Sequence, residues 1–79
     1  MFWKIRAENV RNVSELKAKI QSTPGVYIHH FGLETIFNSF HSIVVECDEK
    51  TVDKVRDQVY FFNNGAYCTV DPYEYPYEE

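Results

Sequence analysis

Apolar and polar positions alternate over residues 2–7, with Trp3, Ile5 and Ala7 on one side and Phe2, Lys4 and Arg6 on the other. A period of two predicts a half-buried strand. The period then lengthens. Val13, Leu16 and Ile20 recur at i, i+3 and i+7, one stripe of a helix. Asn12 stands where an N-cap is expected, with Glu15 three residues on in a capping-box arrangement. Glu15 and Lys19 have the spacing of an ion pair worth about 0.3 kcal/mol on a helix surface. Thr23-Pro24-Gly25 ends this helix. Val26 to Phe31 predicts a second strand, Val26, Ile28 and His30 facing one way and Tyr27, His29 and Phe31 the other.

Leu33 to Phe40 fits the pattern least well. Leu33, Ile36, Phe37 and Phe40 have helical spacing, yet a simple hairpin would also join the flanking strands, so a short helical turn and an elongated hairpin both stay open. Ser42 to Cys47, rich in β-branched residues, predicts a third strand. Asp48 is a suitable N-cap, and Glu49 and Asp53 favour a helix start through the macrodipole. Val52, Val55 and Val59 repeat the stripe of the first helix. Asn63-Asn64-Gly65 is a turn, and Ala66 to Val70 a fourth strand.

The order is β-α-β-β-α-β. The two valine-rich stripes overlay at an offset of 39 residues, and Gly25-Val26 overlays Gly65-Ala66 at 40. Two such units in series predict an α+β ferredoxin-like (split βαβ) fold, a four-stranded antiparallel sheet with both helices on one face. With 79 residues the chain has room for one core, expected over residues 1–70, with residues 71–79 as a tail.

Charge separates the two parts. The chain has 8 Lys and Arg against 12 Asp and Glu; four of the acids are Asp71, Glu74, Glu78 and Glu79, so residues 1–70 are formally neutral. In the tail, Tyr73, Tyr75 and Tyr77 alternate with acids, and Pro72 and Pro76 bar helix and central strand alike. Three structures suit such a segment: a solvated terminus, a recognition segment with tyrosine anchors, or an extension of the edge strand in which Tyr73 and Tyr75 pack on the body. The acidic balance, pI ≈ 5.3, argues against binding nucleic acid or an anionic membrane through bulk charge. No apolar run nears the ~20 residues of a membrane span, and no secretory signal is visible, so a cytoplasmic protein is expected.

Residues that often carry chemistry are scattered. Cys47 and Cys68 fall on strands that the first strand separates, about 10 Å apart at a ~4.8 Å strand spacing, too far for a disulfide; two reduced core thiols are expected. His29 and His30, adjacent on a strand, should point to opposite faces, and His41 stands apart, so no metal site is expected. No G-x-S-x-G elbow or glycine-rich phosphate loop is present. Acylphosphatases share the expected fold and hold phosphate with an Arg in a Gly-rich segment after the first strand; here Ala7-Glu8-Asn9-Val10-Arg11 contains no glycine. No cofactor and no enzymatic activity are expected.

The open face of the sheet is the better candidate. By parity it should present Phe2, Lys4, Arg6, Tyr27, His29, Phe31, Val44, Glu46, Tyr67 and Thr69. Aromatic and basic groups on an open sheet are similar to those with which RNA-recognition modules stack bases, but those modules need aromatics on the third strand, where this chain has Val44 and Glu46. The expected function is therefore a non-enzymatic protein-binding module, a small adaptor or inhibitor of the kind a phage or mobile element would encode. Phe2, Tyr27, Phe31, Tyr73, Glu74, Tyr75 and Tyr77 would meet the partner, a protein with a basic surface; a homodimer is the other association considered. The alternative is a dimeric small-ligand sensor. Thr23-Pro24-Gly25-Val26 resembles the corresponding segment of regulatory and chaperone domains of this fold, which implies a ligand at a subunit interface near Gly25-Val26.

Overall fold

The computed structural model describes residues 1–34, 39–65 and 68–74. Its elements are β1 (Phe2–Ala7), α1 (Val13–Gln21), β2 (Tyr27–Glu34), β3 (Phe40–Glu46), α2 (Glu49–Phe62) and β4 (Cys68–Tyr73). The strands form one antiparallel sheet in the order β2-β3-β1-β4. With its β-α-β-β-α-β chain order, this is the α+β ferredoxin-like fold.

Alternation decides which side of β1 is buried. Trp3, Ile5 and Ala7 enter the core, while Phe2, Lys4 and Arg6 stay half-exposed on the other face. Across the sheet Ile5 is level with Ile43, and Trp3 with Val45. The helices close this side with Leu16 and Ile20 from α1 and with Val52, Val55, Val59 and Phe62 from α2. Both predicted stripes therefore pack on the same sheet face. The indole Nε1–H of Trp3 donates to the Cys47 carbonyl at 3.1 Å, and the Cys47 N–H donates to the Met1 carbonyl at 3.0 Å, pinning the end of β3 to the start of β1.

The helix ends follow two different devices. Asp48 caps α2 as predicted, accepting the Thr51 N–H at 2.8 Å. Asn12 does not cap α1: it sits in the left-handed region at φ 51°, ψ 54° and makes no side-chain cap bond. Asn tolerates that region because its short polar side chain bonds locally, so the signal that suggested a cap marks a sharp turn. Beyond α1, the Ser22 and Thr23 hydroxyls both donate to the Lys19 carbonyl, and Gly25 at φ 82° turns the chain into β2. Glu15 and Lys19 form no ion pair among the described residues; α1 is instead tied to the sheet by Lys17, whose Nζ lies 5.9 Å from the centre of the Phe31 ring.

The ambiguous segment resolves as an elongated hairpin at both of its described ends. β2 runs to Glu34 and β3 starts at Phe40, with Glu34 opposite Phe40. Ile36 and Phe37 lie outside the described residues. β4 runs beyond Val70, through Asp71 and Pro72 to Tyr73, opposite Lys4, Trp3 and Phe2; of the three structures that suit the tail, its start adopts the edge-strand extension, while Tyr75 lies outside the described residues. Pro72 is compatible with this because β4 is an edge strand, where a missing N–H breaks no inner ladder. Among the described residues, no helix is long and apolar enough to cross a membrane.

Candidate functional site

The face of the sheet away from the helices is built in cross-strand rows. The first row is Tyr27, Glu46, Phe2 and Tyr73, one residue from each strand. The second is His30, Val44, Lys4 and Asp71, and the third Gly32, Ser42, Arg6 and Thr69. Directly opposed residues in such a row have Cβ atoms about 4.5–5.5 Å apart. The first row is thus an aromatic strip interrupted by one carboxylate.

A bulge in β2 sets its composition. Ile28 pairs with Val45 and His30 with Val44, leaving His29 as the extra residue. Two residues then oppose one, and the alternation of β2 reverses beyond this point. Two expectations change. Parity alone predicts Phe31 on the open face; it lies opposite Ile43, half-buried against the core and 6.2 Å, ring to ring, from His41. His29 and His30, expected on opposite faces, share the open one. His29 lies 5.0 Å, ring to ring, from Phe2 and hydrogen-bonds the Glu46 carboxylate at 3.0 Å. The His30 ring lies over Gly32, 3.2 Å from where a Cβ would stand.

The remaining charges are arranged around this strip. Lys4 places its ammonium 5.4 Å from the centre of the Tyr73 ring, a cation–π contact. Arg6 approaches Asp71 at 3.7 Å, both well exposed, an ion pair of small energetic weight. The centre of the face is buried. Val44 is 4% exposed and Ser42 0%, although both lie on the face away from the helices, and among the described residues the Ser42 hydroxyl has no hydrogen-bond partner. Tyr27, at 68% exposed, stands out from the strip.

Of the sequence candidates, Phe2, Tyr27 and Tyr73 come together at one end of the open face, and Glu74 follows directly after β4. Phe31 belongs to the other side. Tyr75, Tyr77 and the open-face candidate Tyr67 lie outside the described residues. At the suggested ligand segment, Val26 turns its side chain into the core and the open side of Gly25 meets nothing within 4 Å. Among the described residues, no three His, Cys, Asp or Glu side chains gather as a metal ion would require. Burial lowers the pKa of His41. The thiols are free, and burial raises the pKa of each. They stand further apart than strand spacing alone predicts: Cys47 adjoins Met1, whereas Cys68 is opposite Ala7, so they lie at opposite ends of β1.

Sequence reasoning missed a second aromatic exposure, Tyr60 and Phe61 on the last turn of α2, 56% and 68% exposed. The signal was there: both fall off the Val52-Val55-Val59 stripe, and large aromatics off a buried stripe are the exception on a helix. Compared with protein-family models, curated proteins and solved structures, the chain matches none. Any reading of function therefore rests on the chemistry of these surfaces.

Proposed function

We propose that the chain is a non-enzymatic protein-binding module, an adaptor or inhibitor, that engages its partner through the Phe2, Tyr27, His29 and Tyr73 end of the open face. The observation that carries this reading is the aromatic row itself. Three aromatic side chains from three strands line up in one register, with His29 against Phe2. Tyr supplies large contact area at low entropic cost and is enriched at interface hot spots. Glu46, Asp71 and Glu74 border the row, which favours a partner with a basic surface. The free thiols suit a reducing compartment such as the cytoplasm.

The test is affinity capture from native lysate with four baits: the full chain, a chain ending at Glu74, Phe2→Ser and Tyr27→Ser. A captured protein is then titrated against each bait by calorimetry. Both substitutions should weaken binding at least tenfold, about 1.4 kcal/mol. Equal affinity for the full chain and both substituted baits would remove the open face from the account. A loss confined to the shortened bait would move recognition to residues 75–79.

A further inference from the structure

The sheet ends in two edges, and they differ. The outer edge of β4 carries Pro72 next to Asp71; proline and charge are devices that stop an edge from recruiting another strand. β2 is the longest strand, eight residues, and holds neither proline nor lysine. Among the described residues no strand pairs with it on the side away from β3. Past the bulge at His29, residues 30–34 run in regular register with β3, so their outward backbone groups form an even ladder.

We propose that this edge takes a second copy of the same chain, antiparallel, about a two-fold axis at Gly32, joining two sheets into one of eight strands. The argument is self-complementarity. With Gly32 on the axis, Phe31 lies opposite the partner's Leu33, and His30 lies opposite the partner's Glu34. Each pair occurs twice. Phe31 and Leu33 share the helix side of the sheet, and Leu33 is 58% exposed in the single chain, so pairing covers an apolar group that now faces water. His30 and Glu34 share the open side, where an imidazole N–H can donate to a carboxylate. Moving the axis to Phe31 or to Leu33 breaks both matches. Gly32 adds no side chain at the axis, and the His30 ring already fills the space over it.

Charge does not oppose the contact. Of the acids in excess, Asp71 lies on β4, the opposite edge, and Glu74 directly after it, while residues 1–70 are formally neutral. The contact is separate from the aromatic row and does not rest on the protein-binding proposal; it would set two open faces side by side as one surface.

Sedimentation velocity of the full chain from about 1 to 500 μM tests it, a range that brackets a micromolar dissociation constant. The expected result is a dimer that dissociates on dilution. Leu33→Lys and His30→Glu, both at exposed side chains, should each weaken it at least tenfold with unchanged circular dichroism. The double variant His30→Glu/Glu34→Lys should restore it, because glutamate then meets lysine across the axis. Phe2→Ser should leave it intact, which separates this contact from the open face. A monomer at every concentration would overturn the proposal, as would a dimer indifferent to Leu33→Lys and His30→Glu, or a double variant that fails to restore association.

Discussion

Trp3 shows how much one residue can hold in so small a core. Its ring is buried among the helix-facing side chains, and its Nε1–H satisfies the Cys47 carbonyl where β3 gives way to α2. Trp3→Phe keeps an aromatic ring but removes the donor, and a buried acceptor left unpaired costs about 1–3 kcal/mol. Urea denaturation followed by circular dichroism should show a loss of that size; fluorescence cannot serve, since Trp3 is the chain's one tryptophan. The cysteines make a second residue-scale case. Burial favours their neutral thiols over thiolates, and the thiolate is the reactive form. Both should react with a thiol reagent at neutral pH far more slowly in the native protein than in denaturant. Since their folded pKa values are raised, the stability they contribute is present below the ordinary thiol range and is lost as pH climbs through the folded values. Fast labelling of the native protein at either cysteine would contradict this placement.

Among the elements, α2 is the one whose start the sequence specified locally. Asp48 is exposed, and its hydrogen bonds with Thr51 lower its pKa. A depressed carboxylate contributes stability that is present above its unfolded pKa and is lost as pH falls through the folded one. Asp48→Ala should therefore lower the melting temperature at neutral pH, and the gap from wild type should close in acid, below the ordinary Asp range. A gap independent of pH would mean that the carboxylate is not the cap. β2 behaves in the opposite way. Its alternation Val26, Tyr27, Ile28 is legible, but the bulge at His29 has no local signature: no glycine or proline marks it. Pairing with β3 creates it, because Phe31 has more to gain on the core side beside Ile43 than in water. One inserted residue then moved Phe31 out of the candidate site and brought His30 into it.

For the whole molecule, the end of the fold is a matter of pairing and not of composition. Asp71, Pro72 and Tyr73 belong by composition to the acidic tail, yet they pair with Lys4, Trp3 and Phe2 of the central strand β1. A chain ending at Glu74 keeps all three of these pairs. One ending at Val70 loses those ladder positions and the Lys4–Tyr73 contact, and should be destabilised on the order of 2 kcal/mol at about 1 kcal/mol per net hydrogen bond. Equal urea midpoints for the two would show that the last half of β4 adds nothing to the fold. The sequence by itself determined the element order, the faces of β1 and β3, both buried helix stripes and hence the ferredoxin-like topology, since these follow from local periodicity and short-range stop signals. Only the tertiary structure decided the bulge in β2, the reach of β4, the distance between the thiols and the membership of the aromatic row. Each of these depends on which residue of another strand stands opposite, a relation between positions far apart in the chain that no local pattern encodes.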